Sequence, residues 1–294
     1  MPNNVSLSNW NLPGIPERPV PHIVDQYRVP TWVNRNDMKV SIITVTYNSE
    51  RFLEDCIRSV QLQTYKNIEH IIVDGKSTDG TVGIIKKYQH GITSWVSEVD
   101  RGMYDAINKG ISMATGDIIG ILNSDDILDN DHVIFNIANK FINSNTDAVF
   151  GDLEYVSQDD MQKVFRVWKG QSYKRSRFRY GWMPAHPTFY IKASVVQKYG
   201  GYETHYFSAA DYEFMARYLY RHKITASYLP MLIVRMRVGG ASNVNFKQRL
   251  RANRRDYLAM RRNKIPFAFF VSILKPFIKL HQFTNSKVTG FKMF

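Results

Sequence analysis

The sequence predicts an α/β fold in which a mostly parallel central sheet is flanked by helices. Apolar strand-like runs alternate with helical patterns from residue 40 to residue 143, as in a parallel sheet whose strands are joined by crossover helices. Several of these runs are apolar throughout instead of alternating, which suits strands buried on both faces. With 294 residues, 44% of them hydrophobic, the chain is long enough for one large core.

Each element follows from its own pattern. Apolar and β-branched runs predict strands at 40–45, 69–73, 94–97 and 118–122. Apolar residues at helical spacing predict helices at 50–63, 80–88, 103–114 and 132–143. After residue 143 the pattern changes, and we predict shorter strands at 148–150 and 163–168 and helices near 193–199 and 211–221.

These elements divide the chain into three parts. Residues 1–37 are rich in proline with little apolar periodicity, and predict an extended arm. Residues 38–245 form the folded domain, in which 38–130 have the organisation of a nucleotide-binding half and 131–245 that of the half that varies with substrate. Residues 246–294 form a helical, basic and amphipathic extension.

The net charge of +13 is concentrated in this extension, where twelve Lys and Arg residues accompany Asp256 as the only acid. A stretch rich in aromatic and apolar residues follows from Phe267, too short to span a bilayer. This combination predicts a segment that lies on an anionic membrane surface, and the alternative is a C-terminal helix packed on the domain. We expect no nucleic-acid partner, because no known reading element accompanies the charge.

The chain has a single cysteine, Cys56, which excludes an intramolecular disulfide framework and suits a reducing cytosol. Its helical spacing with Leu53, Ile57 and Val60 predicts a core side chain instead of a nucleophile. The N-terminus lacks a basic segment followed by an apolar one, so we expect no secretory signal and a cytoplasmic protein.

Three polar clusters follow apolar strands in the first half of the domain, at 44–48, 74–81 and 123–126. Ligands of parallel sheets bind beyond the carboxyl ends of the strands, so all three clusters are expected to line one edge. In the third cluster Asp125 and Asp126 supply the oxygen ligands that Mg²⁺ or Mn²⁺ prefers. The alternative is that 123–126 form only a turn and helix cap.

Two more charged groups are candidates at this edge. Asp74 directly follows its strand and can accept hydrogen bonds from a base or sugar. Arg101 lies between strands, and its guanidinium suits a diphosphate because it is forked and always charged. For Arg101 the alternative is a surface salt bridge to Asp100.

Extended, order-preserving motifs then identify a resemblance to a known family. They read V-S-I-I-T-V-T-Y-N at 40–48, V-D-G-K-S-T-D-G-T at 73–81 and E-V-D-R-G-M-Y-D-A-I-N-K-G-I-S-M-A-T-G-D-I-I-G-I-L-N-S-D-D at 98–126. The second half adds H-P-T-F-Y at 186–190, Y-G-G-Y-E at 199–203 and A-A-D-Y-E-F at 209–214. Over residues 38–245 the chain resembles inverting glycosyltransferase family 2, whose catalytic domain has the Rossmann-like GT-A fold.

The resemblance implies roles for several residues. Thr46 and Asn48 match the end of the first strand that faces the nucleotide, and Asp74 matches the acid that reads the base, usually uracil. Asp125 and Asp126 match the acids that hold the ribose and the metal-bound diphosphate, with Asp126 expected as the metal ligand. Asp211 matches the general base, whereas its position alone favours a helix N-cap, and only the resemblance reverses that preference.

The sequence departs from the family at the usual D-x-D spelling, where Asn123 replaces the first acid. Its amide can still hydrogen-bond the ribose, but one charge is missing. In the second half, His186 and Trp182 are candidates for binding the acceptor or a phosphate. The alternative for both is packing in the core.

The resemblance therefore implies a metal-dependent enzyme that moves a sugar from a nucleotide sugar, expected to be a UDP-sugar, to a lipid-linked glycan. Such enzymes build bacterial surface polysaccharides such as O-antigen, and we expect this one at the inner face of the cytoplasmic membrane. Two other functions stay open from the residues alone. A nucleotidyltransferase would call for a Gly-rich phosphate loop after the first strand, which 44–50 lack, and a basic nucleic-acid-binding module would bind duplex DNA with a steep salt dependence.

Overall fold

The computed structural model describes residues 38–239 and 246–272, with the side chains of the last helix described from residue 252 onward. The predicted arm at 1–37 and the end of the extension, 273–294, lie outside the described residues. Within these described ranges nine strands form one sheet. Their order across the sheet is Ser94–Ser97 (β3), Ile68–Asp74 (β2), Val40–Thr46 (β1), Ile118–Ile121 (β4), Tyr190–Lys192 (β8), Ala148–Val156 (β6), Ala226–Arg237 (β9) and Asp126–Leu128 (β5), and Val164–Trp168 (β7) pairs with β6. The predicted α/β fold is confirmed.

The first half of the sheet is parallel. It contains β1 (Val40–Thr46), β2 (Ile68–Asp74), β3 (Ser94–Ser97) and β4 (Ile118–Ile121). In β1 all seven residues are buried, which explains why the run has no polar alternation. Strand β1 pairs with β2 on one side and with β4 on the other, so their carboxyl ends meet at one edge.

The helices of this half cover the sheet. They are α1 (Leu53–Gln61), α2 (Thr81–Lys87), α3 (Met103–Met113) and α4 (Val133–Asn143). The buried face of α1 is formed by Leu53, Cys56, Ile57 and Val60, as the spacing predicts. Cys56 is fully buried, which raises the pKa of its thiol.

The second half of the sheet is mixed. It adds β5 (Asp126–Leu128), β6 (Ala148–Val156), β7 (Val164–Trp168), β8 (Tyr190–Lys192) and β9 (Ala226–Arg237). Strand β8 runs antiparallel to β4 and joins the two halves, while β9 lies between β6 and β5. Our sequence interpretation missed β5, β8 and β9, because two of them have three residues each and β9 contains Pro230.

The remaining helices cover this mixed half. They are α5 (Ala193–Tyr199), α6 (Ala210–Met215), which continues as a π-helical turn to Arg221, and α7 (Phe246–Arg262). Short 3₁₀ helices occur at Gln89–Gly91, Arg175–Tyr180, His186–Thr188 and Thr204–Ala209. No helix within the described ranges is long and apolar enough to cross a membrane.

Helix α7 packs on the domain next to α6. Ala259, Met260 and Asn263 are fully buried, and the Asn263 amide donates a hydrogen bond of 3.3 Å to Glu213 of α6. Glu213 is itself buried and pairs with Arg217 at 3.1 Å. The first part of the extension is thus a packed C-terminal helix, which is the alternative that the sequence left open.

Candidate active site

The three polar clusters meet at the carboxyl edge of the parallel strands, as predicted. Asn48, which follows β1 with a positive φ of 47°, accepts a hydrogen bond from the backbone N–H of Thr78 (2.9 Å) through its side-chain oxygen. The hydroxyls of Ser49 and Ser124 lie 2.9 Å apart and connect the first cluster to the third. The side chains therefore converge because neighbouring strands end together.

Thr46 and Asp74 are both buried at this edge. The Asp74 carboxylate accepts hydrogen bonds from the hydroxyls of Ser77 and Ser97, each at 2.5 Å, and from the backbone N–H of Ser77 at 3.0 Å. Asp74 therefore holds the loop after β2 in place. The role of Asp74 in reading the base stays a prediction, as does nucleotide binding by Thr46 and Asn48.

Sequence reasoning missed Tyr47 at this edge. Its side chain is 63% exposed although it follows a fully buried strand. A Cβ atom on Gly75 would lie 3.3 Å from the Tyr47 ring and 2.8 Å from Oδ2 of Asp100, so only glycine leaves this space open. An exposed aromatic ring beside such a gap suits the stacking of a nucleotide base. The first motif has a tyrosine between Thr46 and Asn48, and an aromatic residue at a strand end could have been predicted to stack on a base.

Arg101 lies on the surface near the same edge. Its guanidinium pairs with Asp105 at 3.1 Å, and the Arg101 side chain is 88% exposed. The salt bridge is therefore made to Asp105 and not to Asp100, which instead accepts a hydrogen bond from the backbone N–H of Gly102. Diphosphate binding by Arg101 stays a prediction.

Asp126 is a buried carboxylate with one oxygen that accepts no hydrogen bond from the described residues. It is fully buried at the start of β5, and Oδ2 accepts a 2.9 Å hydrogen bond from the Asn123 side chain. Within the described residues, no group hydrogen-bonds its Oδ1. Burial, and then the charge of neighbouring Asp125, raise the pKa of Asp126 well above its usual range.

Arg237 of β9, which sequence reasoning missed, stabilises this cluster. Its guanidinium donates to the backbone carbonyl of Asp125 (2.9 Å) and to the carboxylate of Asp55 (2.6 Å). Burial raises the pKa of Asp125, and the positive charge of Arg237 opposes this shift. One cation thus partly balances two adjacent carboxylates.

This geometry fits a divalent metal bound together with a diphosphate. In the part of the chain that the structure describes, no group of three or more His, Cys, Asp or Glu side chains could hold a metal alone. Mg²⁺ and Mn²⁺ sites with nucleotides need only one or two carboxylates, because phosphate and water complete the shell. The unpartnered Oδ1 of Asp126, with Asp125 beside it, supplies that ligand set.

Asp211 lies in the first turn of α6, which begins at Ala210 without a side-chain cap. The alternative interpretation as an N-cap is therefore wrong, and its Oδ1 accepts only the N–H of the next residue, at 2.6 Å, among the described contacts. Asp126 and Asp211 both contribute to raising the pKa of Tyr155, after the larger effect of burial. The charges of both carboxylates therefore act on the same phenol.

His186 and Trp182, the two candidates for binding an acceptor or a phosphate, lie in different surroundings. His186 Nε2 lies 2.7 Å from the Tyr202 hydroxyl. Burial lowers the pKa of His186, while the charge of Asp211 opposes that shift. Trp182 instead packs edge-on against Phe150 and Phe178, with ring centroids 6.0 and 5.8 Å away. Trp182 therefore contributes to the core, and acceptor binding by either His186 or Trp182 stays a prediction.

Solved structures with this fold support the assignment of the fold. S. aureus TarS superposes with a TM-score of 0.60 over 85% of this chain at 19% identity, and this chain spans 44% of the TarS chain. The mannosyltransferase PcManGT from Pyrobaculum calidifontis, solved with GDP-Man and Mn²⁺, gives a TM-score of 0.58 at 18% identity, covering 84% of this chain and 72% of that one.

Sequence relatives identify the family. The chain is 32% identical over 180 residues to an uncharacterized glycosyltransferase of Mycobacterium tuberculosis, covering 60% of this chain and 68% of that protein. It is 28% identical to a PGL/p-HBAD biosynthesis glycosyltransferase of Mycobacterium bovis, covering 69% of this chain and 78% of the relative. Residues 41–200 match the family model described as glycosyl transferase family 2. The protein is a glycosyltransferase, and it belongs to glycosyl transferase family 2.

Proposed function

We propose that this glycosyltransferase inverts the anomeric centre of a nucleotide sugar, with a divalent metal, as it moves the sugar to a lipid-linked glycan of the cell surface. The observations that carry this proposal are the buried Asp126, whose Oδ1 accepts no hydrogen bond from the described residues, and the charge of Asp211, which acts on Tyr155 as that of Asp126 does. In this proposal Asp126 holds a metal at the departing diphosphate, and Asp211 accepts the proton of the attacking hydroxyl. A single displacement needs both groups near one sugar.

The reaction follows from where charge develops. The oxygen of an acceptor hydroxyl forms a bond to the anomeric carbon while the bond from that carbon to the diphosphate breaks, and the hydroxyl proton passes to Asp211. A positioned base of this kind contributes on the order of 10²- to 10⁴-fold to the rate. Because attack and departure are on opposite faces, the configuration inverts.

Asp126, with Asp125, would hold Mn²⁺ or Mg²⁺ at the diphosphate. The bound metal would stabilise negative charge on the leaving nucleotide. Arg237 would hold the Asp125 backbone in place through its hydrogen bond to the carbonyl oxygen. Arg101 has a long, exposed side chain at the same edge, and its guanidinium would bind the phosphates.

The donor nucleotide in this proposal is uridine diphosphate, because Asp74 matches the family's acid that reads the base, usually uracil. TarS has been solved with UDP-GlcNAc and PcManGT with GDP-Man, so the fold accommodates both nucleotide classes. The exposed ring of Tyr47 beside Gly75 would stack on either base. The donor panel of a first assay must therefore include both.

The acceptor proposal is supported by a surface on the extension. Phe267, Phe269 and Phe270 are 76%, 58% and 63% exposed, next to a buried face that packs on the domain. Exposed basic residues precede them along the chain, namely Arg254, Arg261, Arg262 and Lys264. Apolar rings flanked by cations suit the interface of an anionic bilayer, and they would hold the enzyme at the inner face of the cytoplasmic membrane beside a lipid-linked acceptor.

The direct test is nucleotide release from UDP-GlcNAc, UDP-glucose, UDP-galactose and GDP-mannose, with and without Mn²⁺. We expect release from one of these donors that depends on Mn²⁺ and increases when a lipid-linked glycan is added. A protein that neither binds nor cleaves any nucleotide sugar in the presence of Mn²⁺ would refute the proposal.

A further inference from the structure

Four strands place one row of side chains across the sheet. Asp126 of β5 pairs with Met236 of β9, Met236 pairs with Tyr155 of β6, and Tyr155 pairs with Arg166 of β7. Directly paired residues point to the same face of a sheet, and neighbouring strands are about 4.8 Å apart. The backbones of Asp126 and Tyr155 are therefore separated by about 10 Å on one face.

Tyr155 and Arg166 contact each other in this row. The guanidinium of Arg166 lies 4.7 Å from the centre of the Tyr155 ring and 5.3 Å from that of Trp168. All three side chains are only partly buried, whereas Asp126 in the same row is fully buried. The row thus runs from the buried carboxylate to half-buried aromatic and cationic side chains.

The charges that act on Tyr155 agree with its place in this row. Burial raises the pKa of Tyr155, the positive charge of Arg166 lowers it, and the negative charges of Asp126 and Asp211 raise it again. The charge of Asp211 therefore acts on the phenol together with that of Asp126, which lies in the same row. In the proposed reaction the transferred sugar occupies the space between the diphosphate site at Asp126 and the base Asp211, and Tyr155 is a side chain on which both of these charges act.

We infer that Tyr155 and Arg166 form a wall of the donor-sugar pocket and hydrogen-bond hydroxyl groups of the transferred sugar. This inference rests on the proposed function and names the residues that select its donor. The phenol and the guanidinium both donate hydrogen bonds, and the aromatic contacts hold the guanidinium in one orientation. Neither residue is expected to contact the nucleotide.

The test compares binding of a nucleotide sugar with binding of the same nucleotide without sugar. The full-length protein with Mn²⁺ is titrated calorimetrically with the tightest of UDP-GlcNAc, UDP-glucose and GDP-mannose, and then with UDP or GDP. The variants are Tyr155→Phe, which removes only a hydroxyl, and Arg166→Gln. Lys163→Gln is the matched control, because Lys163 is an exposed cation of the same region that lies over Phe165.

We expect Tyr155→Phe to weaken nucleotide-sugar binding about fivefold and Arg166→Gln about tenfold or more, with nucleotide binding unchanged. The Lys163→Gln control should bind both ligands like the wild type. If a variant weakens the binding of nucleotide and nucleotide sugar equally, Tyr155 and Arg166 act at the phosphates or only stabilise the fold, and the inference is overturned. Unchanged binding in both variants would also overturn it. If the wild type itself binds no nucleotide sugar, the proposed function fails together with the inference.

Discussion

The side-chain amide of Asn123 donates a hydrogen bond to Oδ2 of Asp126 across 2.9 Å and leaves Oδ1 without a hydrogen bond from the described residues. Asn123 stands where the family usually has an acid. The amide therefore orients the buried carboxylate without adding a third negative charge. In the proposed function this arrangement would leave Oδ1 of Asp126 available to a metal despite the departure from the D-x-D spelling.

The first prediction concerns this departure. Asn123→Asp removes the donor to Asp126 and places a third carboxylate beside Asp125 and Asp126. We expect the metal-free variant to lose about 1–3 kcal/mol of unfolding free energy, since a partly buried hydrogen bond is replaced by like-charge repulsion. Mn²⁺ should in turn bind more tightly, because one more anionic ligand is available.

Urea unfolding without metal, and Mn²⁺ titration followed by electron paramagnetic resonance, measure the two effects separately. Asn130→Asp is the matched control, because Asn130 is exposed and bonds Asp129 outside the site. A variant as stable as the wild type, with unchanged Mn²⁺ affinity, would show that Asn123 does not orient Asp126.

The second prediction concerns pH and the loop before β4. Glu69 is buried, which by itself would raise its pKa, but hydrogen bonds from Ser41, Thr115 and Lys39 outweigh burial and lower the pKa to about 2. Because the pKa of the folded state is depressed, Glu69 contributes stability above pH 4.5. That contribution is lost as the pH falls from 4.5 toward 2.

Glu69→Gln should therefore lower the Tm at pH 7, where it removes charge-assisted hydrogen bonds worth about 1.5–3 kcal/mol each. The difference from the wild type should shrink at pH 3. Thermal unfolding of both proteins at the two pH values measures this change. A difference that stays constant with pH would mean that the carboxylate charge does not stabilise the fold.

The third prediction concerns the surface of the extension. Replacing Phe267, Phe269 and Phe270 by Ser should weaken binding to vesicles of anionic phospholipid at least about tenfold, since partly burying each ring in the bilayer contributes on the order of 1 kcal/mol. Vesicle sedimentation measures the effect. The double substitution Leu62→Ser and Ile142→Ser is the control, because both side chains are exposed elsewhere on the domain.

Substitution is a sharper test of this surface than removal of residues 246–294. Ala259, Met260 and Asn263 fill the core beneath α7, so a truncated protein would expose that core and lose stability for a different reason. Unchanged vesicle binding by the triple variant would locate any membrane contact elsewhere.

The sequence predicted much of the fold because long apolar runs and helical spacing are local signals. Strand β1 and helix α1 illustrate this, since their burial follows directly from residue type and period. The convergence of Asn48, Asp74 and Asp125 was also predictable, because parallel neighbours end at one edge.

The second half of the site was not predictable in the same way. Tyr155 and Arg166 join Asp126 only through the register of β5, β9, β6 and β7, and register depends on tertiary pairing. Arg237 lies on β9, which we did not predict because Pro230 occurs within it and proline is rare inside strands. For the extension, composition revealed the charge, but only packing shows that Ala259 and Met260 face the core.

The central claim is that Asp126 and Asp211 act on one nucleotide sugar in one cleft, and paired titration and turnover measurements on Asp126→Asn and Asp211→Asn test it most directly. Asp159→Asn, an exposed carboxylate outside the site, is the control. We expect Asp126→Asn to lose Mn²⁺-dependent nucleotide binding together with transfer. Asp211→Asn should keep nucleotide binding and lose transfer by on the order of 10²-fold or more. Transfer at the wild-type rate in Asp211→Asn, or loss of its nucleotide binding along with turnover, would contradict the account.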